Sequence, residues 1–254
     1  MKKIVIDPGH GGRDPGAAAF GLKEKDITLD IARRTRDALG AYQAEVILTR
    51  DGDIDLDLPA RAAVANKLVA DYFLSIHVNA GGGTGFESYV HIYAGEKSRA
   101  IRDVIHARVS DFYRSAGFGD RGKKSANFAV LRLTNMPAVL LENLFIDQEK
   151  DAARLAEPDF RQGIADAIAS GLVDALGLRP VNHPVNHPVD NPVEPQKVDL
   201  SMSGTAQAVI IRVGGKTIPG FILDGKTYGP VRDIADALGR RVAWYESDKL
   251  VYIE

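Results

Sequence analysis

Four residues of the sequence supply the donors of a metal site and one additional carboxylic acid: His10, Glu24, His77 and Glu142. Two imidazoles and one carboxylate around an open fourth position are the ligand set of a catalytic zinc site, and a second carboxylate beside it has the chemistry of a general base. The chain contains no cysteine, so a catalytic thiol, a thiolate metal site and disulfides are excluded. The sequence therefore predicts one Zn²⁺ held by His10, Glu24 and His77, with a water molecule in the open position and Glu142 as the residue that takes its proton.

The predicted secondary structure explains how residues so far apart in sequence meet. His77 and Glu142 each directly follow an apolar run, and His10 lies in the Gly-rich loop that ends the first such run. Glu24 begins the helix that leaves this loop. Because ligands of open α/β sheets bind at the carboxyl ends of the strands, we expect all four side chains to line one cleft.

Each of these residues also has an ordinary structural explanation. A lone histidine such as His10 in a Gly-rich loop is often incidental, Glu24 is explained equally as an acid that complements a helix dipole, and Glu142 as a strand end at the surface. A carboxylate that follows three strongly apolar residues is, however, costly to bury without a partner. The meeting of all four at one predicted edge favours the metal site.

Strand and helix patterns alternate over the first part of the chain, which is typical of a helix-flanked, mostly parallel mixed sheet. The predicted fold class is α/β, followed by a small separate α+β domain. The segment 120–127 is interpreted as a basic, Gly-containing loop that faces solvent or an acidic peptide. The predicted helices cover 24–39, 59–70, 96–115, 148–156 and 158–176, and the predicted strands cover 45–49, 72–76, 86–93, 129–131 and 138–141.

The composition changes after the last predicted helix. A Val-Asn-His-Pro unit begins at Val181, recurs directly after itself and continues in two looser copies that keep the proline. Such a repeat buries little apolar surface and favours an extended, polyproline-like spacer. We predict a catalytic domain over 1–178, a Pro-rich linker over 179–199 and a small α+β module over 200–254, with short strands and one helix that starts at Pro230.

Short motifs are spread over nearly all of the predicted catalytic domain. They are Val5–Gly12 with Asp14–Ala17, Glu24–Ile27, Leu58–Arg61 with Ala65 and Asn66, Ser75–Ala80, Gly85–Glu87 and Pro137–Glu142. In this order they resemble the motifs of the zinc-dependent N-acetylmuramoyl-L-alanine amidases of the amidase-3 family. The resemblance implies peptidoglycan as the substrate and hydrolysis of the amide between N-acetylmuramic acid and L-alanine of the stem peptide. It also implies zinc on His10, Glu24 and His77, with Glu142 as the catalytic acid/base.

One departure from the family pattern and one further resemblance complete this comparison. The residues after Glu142 begin Asn143-Leu144, where the family usually has Ser-Asn or Thr-Asn, so the contacts of the following loop stay open. In the C-terminal part, Thr227–Ala235 and Val242–Trp244 resemble the small domain named after the N-terminal region of copper amine oxidases. Because that module is often attached to bacterial cell-wall enzymes, the resemblance implies a wall-binding role.

Other polar residues within the motifs are candidates for supporting the site. Asn79, Glu87 and Arg61 are candidate substrate contacts or supports of the metal ligands. Arginines at such places, Arg50 after a strand and Arg61 on a helix, are more often ion-paired structural residues than substrate clamps. His91 and His106 lie among apolar neighbours and are interpreted as core or surface histidines.

Composition limits the partners and the setting. With 45% hydrophobic residues, 26% charged residues and a formal net charge of −2, the chain has no global attraction for nucleic acid or anionic membranes. No run reaches the ~18 apolar residues of a membrane helix, and the N-terminus lacks the ~7–15-residue apolar core of a signal peptide. We expect a protein of the bacterial cytoplasm that acts on the wall after release, as a phage lysin does, or a secreted autolysin if the sequence is a processed form. The alternatives are a zinc peptidase acting on the stem peptide and a non-catalytic wall-binding or regulatory protein.

Overall fold

We describe a computed structural model of the chain. It describes residues 1–181 and, further along the chain, the strands at 207–213, 216–223, 226–228, 242–245 and 250–253. The chain divides into two compact units, Met1–Val185 and Asn186–Glu254. None of the helices in these described parts is long and apolar enough to cross a membrane.

The first unit alternates strands and helices, as the sequence predicts. Helix α1 buries Ile27 and Ile31 one turn apart, and α2 begins at an N-cap, Asp57, whose side chain accepts from Ala60 N at 2.7 Å. The elements in chain order are β1 (Lys2–Pro8), β2 (Ala18–Ala19), β3 (Leu22–Lys23), α1 (Glu24–Ala38) with a 3₁₀ turn at Leu39–Ala41, β4 (Ala44–Leu48), α2 (Leu58–Lys67), β5 (Tyr72–Asn79), β6 (Phe86–His91), α3 (Glu96–Ser115), β7 (Asp120–Ala126), α4 (Ala129–Arg132), β8 (Ala138–Phe145), α5 (Glu149–Ala156) and α6 (Pro158–Leu176).

Six of these strands form one sheet in the order β4-β1-β5-β8-β6-β7. All neighbours are parallel except β6 and β8, which are antiparallel. The predicted helix-flanked, mostly parallel mixed sheet is therefore confirmed. Since β1, β5 and β8 lie side by side and run the same way, the segments that leave their carboxyl ends meet at one edge.

Alternate strand residues pack on opposite faces of the sheet. On one face Ile4 and Ile6 of β1 pack with apolar residues of α1, α3 and α6 in the main core. On the other face Val5, Phe73 and Leu140 pack with residues of α2 and α4. Both helices on this face are short, with 10 residues in α2 and 4 in α4.

Two predicted elements are wrong. The segment expected to be a basic loop is the edge strand β7, which pairs only with β6 and alternates exposed and half-buried residues. An edge strand with one face in solvent needs little apolar sequence, which hides it from a search for apolar runs. The expected strand at 129–131 is the helix α4, because Val130 and Leu131 are both buried against the same face of the sheet and a strand would send them to opposite faces.

In the second unit the structure describes five strands, in agreement with the short strands predicted for 200–254. Strands β9 (Gln207–Val213), β10 (Lys216–Leu223) and β11 (Lys226–Tyr228) pair antiparallel in that order. Strands β12 (Val242–Tyr245) and β13 (Leu250–Ile253) form a second antiparallel pair. Most of the predicted linker, the helix expected at Pro230 and the side chains that carry the copper amine oxidase resemblance lie outside the described residues.

Candidate metal centre

The loop after β1 holds His10 in an uncommon backbone conformation. Its φ is 60°, in the left-handed region that costs a non-glycine residue free energy. Three hydrogen bonds tie the loop down: Gly9 N donates to Ile76 O at 2.9 Å, Arg50 Nη2 to Gly9 O at 2.8 Å and Arg61 Nη2 to His10 O at 2.7 Å. These contacts offset the strain and fix the imidazole at the carboxyl end of β1.

Glu24 lies between the two predicted histidine ligands. Its Oε2 is 3.2 Å from His10 Nε2, and its Oε1 is 3.0 Å from His77 Nδ1. One donor atom from each of the three residues lies within 4.8 Å of the other two. Two imidazole nitrogens and a carboxylate oxygen are donors that suit a borderline cation, so the three residues are able to hold a metal ion.

Neighbouring groups orient these donors. Asp14 Oδ2 is 2.8 Å from His10 Nδ1, which fixes a proton on that nitrogen and directs Nε2 towards Glu24. Ala17 N and Val78 N each donate to the Glu24 carboxylate at 3.0 Å. The ring and the carboxylate are therefore held by protein groups in the directions that a shared ligand would require.

The electrostatics of the three donors are coupled. Burial by itself raises the pKa of Glu24, but hydrogen bonds from His10 and His77 outweigh it and hold the pKa well below its usual range. Burial lowers the pKa of His10, while the carboxylates of Glu24 and Asp14 outweigh it and raise the pKa to about 9. The carboxylates of Glu24 and Asp14 thus favour positive charge between the imidazoles, which a bound cation would supply in place of the protons.

Glu142 lies beside the donors on the next strand. In the parallel pairing of β5 and β8 it is directly opposite His77, and in the antiparallel pairing of β6 and β8 it is opposite Glu87. Burial raises the pKa of Glu142 to about 7, and the charge of His77 limits the rise. Among the described residues its Oε2 is buried without a hydrogen-bond partner, which leaves one carboxyl oxygen available to a substrate or water.

An open cleft of about 610 Å³ adjoins the donors on the α2 side. Its wall carries the carboxylates of Asp14, Asp55 and Asp57 and the guanidinium of Arg13, which pairs with Asp55 at 2.6 Å. The cleft also exposes backbone of the loop before α2. It is large enough for a sugar or a few amino-acid residues. The lining residues are His10, Gly11, Arg13, Asp14, Asp55, Leu56, Asp57, Leu58, Pro59, Arg61 and His77.

The three other candidates from the sequence have different positions. Asn79 lies two residues after His77 on β5, and its Nδ2 donates at 2.9 Å to Oε1 of Glu87, which lies on β6 opposite Glu142. Arg61 is buried beneath the His10 loop, with Nη1 3.0 Å from Asp7 Oδ1, so its guanidinium supports the loop.

His91 and His106 lie away from the site, as expected. His106 is buried between Ser88 and Asp120, and His91 is partly exposed beside Asn127.

Three further residues build the site: sequence reasoning missed the roles of Asp14 and Asn143, and it interpreted Arg50 as a structural residue. Asp14 can be noticed in the sequence, because it follows His10 by four residues in the same Gly-rich loop. Its contact with the His10 ring, however, depends on the path of that loop. Arg50 is 2% exposed and donates to backbone carbonyls of the His10 loop and of α1. Asn143, where the sequence departs from the family pattern, donates from Nδ2 to His77 O at 2.9 Å and accepts from Tyr113 OH at 3.1 Å.

Comparison with known proteins agrees with this arrangement. The model of the amidase-3 family, N-acetylmuramoyl-L-alanine amidase, matches residues 4–174. The chain belongs to the amidase-3 family. Among curated relatives of this amidase, N-acetylmuramoyl-L-alanine amidase CwlM of Bacillus licheniformis is 49% identical over 180 residues, which are 70% of each chain. The endolysin of Bacillus phage SPP1 is 40% identical over 221 residues, 84% of this chain and 77% of that protein.

A solved structure extends the agreement to the fold. The catalytic domain of CwlV, an N-acetylmuramoyl-L-alanine amidase from Bacillus (Paenibacillus) polymyxa var. colistinus, superposes on the amidase with a TM-score of 0.66 at 37% identity. The match covers 70% of this chain and 100% of that domain. The family, the α/β fold class and the class of enzyme predicted from the sequence, a peptidoglycan amidase, are thus confirmed.

Proposed function

We propose that this amidase hydrolyses the amide between the lactyl group of N-acetylmuramic acid and L-alanine of the stem peptide, with Zn²⁺ bound by His10, Glu24 and His77. Glu142 is the catalytic acid/base. The observation that carries this proposal is the meeting of three donor atoms within 4.8 Å beside a buried carboxyl oxygen that has no partner among the described residues.

The donor set fits zinc better than the alternatives. Imidazole nitrogen is a poor ligand for the hard cations Mg²⁺ and Ca²⁺, which prefer sites made of oxygen. Three protein donors also leave a coordination position for the reaction. When bound, Zn²⁺ supplies a Lewis acid for the scissile carbonyl and for the attacking water.

Glu142 moves the proton. Its unpartnered oxygen lies one strand from His77, so it can accept a proton from the water that attacks the carbonyl and deliver it to the amine that leaves. An amine leaves poorly as an anion, so protonation by the same residue completes the hydrolysis. Asp14 and the backbone amides on Glu24 keep the donors in place during this transfer.

The test is the product of peptidoglycan digestion, analysed by mass spectrometry. Cleavage by the wild-type amidase should release stem peptides with a free amino group on L-alanine and leave the glycan chains intact. New amino termini on a later residue would identify a peptidase instead, and an undigested wall with tight binding would identify a non-catalytic wall-binding protein.

Two variants separate the roles of the metal ligands and the acid. Glu142→Gln should keep about one zinc per chain but lose ~10²–10⁴-fold in rate. His77→Ala should lose the metal as well as the activity. Wall lysis by a Glu142→Gln protein at the wild-type rate would refute the assigned role.

We propose the setting of a phage lysin for this amidase. The resemblance to a phage endolysin supports release at lysis as the route to the wall. The part of the chain after the catalytic domain is proposed to bind the wall, and a chain that ends at residue 181 should sediment with purified walls less than the full chain does. Equal sedimentation would refute that role.

A further inference from the structure

Beyond Glu142, on the side away from the histidines, the sheet carries positive charge that the mechanism above does not use. Arg121 Nε donates to Glu87 Oε2 at 2.7 Å, and Lys124 Nζ forms a second ion pair with the same oxygen. The side chain of Glu87 is 4% exposed, while those of Arg121 and Lys124 are each 37% exposed. Two partly exposed cations on one buried carboxylate leave a net positive charge at the surface. We call Arg121 and Lys124 the β7 cation pair.

The β7 cation pair continues the row of site residues across the sheet. His77 on β5 is opposite Glu142 on β8, and Glu142 is opposite Glu87 on β6. Residues paired in register point to the same face, with Cβ atoms about 5 Å apart in an antiparallel pair. The cations that bind Glu87 therefore lie next to the scissile bond of a substrate at Glu142.

Packing holds these cations in place. Lys124 Nζ lies 5.8 Å from the ring centre of Tyr89, whose hydroxyl donates to Glu87 Oε1 at 2.6 Å. The Arg121 guanidinium lies 4.8 Å from the ring centre of Phe145. Arg121 uses Nε on Glu87, and its Nη1 reaches only a carbonyl oxygen at 3.5 Å. The guanidinium thus keeps donors for a ligand, and the aromatic rings limit the side-chain entropy lost on binding.

The opposite side of the site has the opposite charge. The cleft beside α2 carries the carboxylates of Asp14, Asp55 and Asp57 against the single exposed cation Arg13. An acidic peptide is repelled there, whereas an uncharged N-acetylated sugar finds acceptors for its hydroxyl groups. A substrate with a neutral glycan and an acidic peptide is therefore oriented by the charges on the two sides of Glu142.

We propose that the β7 cation pair binds a carboxylate of the stem peptide and so places the peptide side of the scissile amide over β6 and β7, with the glycan in the cleft beside α2. This inference rests on the proposed function, because it assigns the two ends of the substrate of that same site. Charge complementarity and the adjacency of Glu87 to Glu142 favour an acidic peptide as the occupant.

The experiment compares soluble muramyl peptides that differ only in charge. Three substrates are used: one with free carboxylates on the second and third residues of the peptide, and two in which one or the other carboxylate is amidated. For the wild-type amidase, amidation of the bound carboxylate should raise KM about 5-fold with little change in kcat, as expected for one partly exposed ion pair of about 1 kcal/mol. Whichever substrate shows the rise identifies the carboxylate that is bound.

Variants connect the effect to the cation pair. Lys124→Gln and Arg121→Gln should each lose the preference for the free carboxylate, and Lys124→Arg should keep it. Lys123→Gln is the matched control, because Lys123 is on the same strand but points to the other face and pairs with Asp103 at 3.1 Å. It should keep the wild-type preference.

The outcomes of this experiment and of the product analysis are independent. If the wild-type amidase releases L-alanine amino termini yet cleaves free and amidated substrates with the same KM, the cation pair does not bind the peptide and only this inference fails. Equal preference in Lys124→Gln, Arg121→Gln and the wild type would also overturn it. If the wild type releases no L-alanine amino termini, the proposed function itself fails.

Discussion

The contacts of Arg61 favour an ion-paired structural role over that of a substrate clamp, and its replacement by methionine tests that role. The guanidinium is buried with Asp7, whose side chain is fully inaccessible, and donates from Nη1 to Asp7 Oδ1 at 3.0 Å. It also donates to three carbonyl oxygens, those of Leu56, Pro8 and His10, at 2.7–2.9 Å. Methionine fills a similar volume but restores none of these hydrogen bonds.

The size of the effect follows from what Arg61→Met leaves behind. Among the described residues the Asp7 carboxylate then keeps only the hydroxyl donors Ser75 and Thr49, at 2.8 and 2.6 Å, and loses its one direct ion pair. Breaking a buried ion pair on one side costs about 3–5 kcal/mol. We expect Arg61→Met to lower the free energy of unfolding by about that amount, and Arg61→Lys by less, because a lysine keeps the charge but loses the planar fork.

The assay is urea unfolding of Arg61→Met, of Asp7→Asn and of the double variant Asp7→Asn/Arg61→Met. Because the double variant removes both charges, its loss should be smaller than the sum of the single losses by about 1–3 kcal/mol. A guanidinium that clamps substrate gives the opposite pattern, a raised KM with unfolding unchanged. If Arg61→Met unfolds within about 0.5 kcal/mol of the wild type, as surface substitutions do, the support role is refuted.

Three further predictions concern the proposed metal ligands and the buried carboxylate of Glu87. Gly16→Ala places a Cβ 2.6 Å from Glu24 Oε2 at a φ of +64°, whereas Gly21→Ala has a similar φ of +76° and open space. The positive φ should cost each variant about 1 kcal/mol of stability. The contact with Glu24 should make the loss larger in Gly16→Ala, and only this variant should lose zinc affinity in a chelator competition. Asp14→Ala should weaken zinc binding about 10–100-fold, and unchanged affinity in the same competition would contradict its orienting role. The pKa of Glu87 is lowered to about 2, since hydrogen bonds from Lys124 and its neighbours outweigh the effect of burial. The contribution of the Glu87 carboxylate to stability is therefore complete above pH 4.5 and lost as the pH falls towards 2. The stability difference between wild type and Glu87→Gln, about 1–3 kcal/mol at pH 6, should shrink over that interval in acid-unfolding curves.

The parts of the site that could be predicted are those that a residue and its neighbours in sequence reveal by themselves. An apolar run that stops at a polar side chain is visible in sequence. The strands continue past these residues, β5 to Asn79 and β8 to Phe145, so His77 and Glu142 lie opposite each other within the paired strands and not after them. The crossover helix α1 begins at Glu24, where the periodic apolar pattern begins. Strand ends, helix starts and donor types thus suffice to bring the proposed ligands together.

The parts that could not be predicted depend on three-dimensional neighbours. Arginines are usually exposed, so nothing local indicates that Arg50 and Arg61 are buried under the His10 loop. The sequence predicts a loop in place of strand β7, because Lys123 and Lys124 are both typical of solvated positions. In the strand they point to opposite faces, where Lys123 pairs with Asp103 and Lys124 pairs with Glu87. The strand pairing that decides these contacts joins segments far apart in the chain.

The left-handed conformation of His10 connects the predictable and unpredictable parts. A φ of 60° in a residue other than glycine persists only when surrounding contacts favour it by more than its cost, about 1–3 kcal/mol. Those contacts come from Gly9 N, Arg50 and Arg61, and Asp14 then fixes the rotation of the ring. Every one of them is made by a protein group, so the direction of His10 Nε2 is set by the fold. Binding of a metal ion then requires little rearrangement of the loop, and its affinity depends on residues such as Arg61 that never touch it.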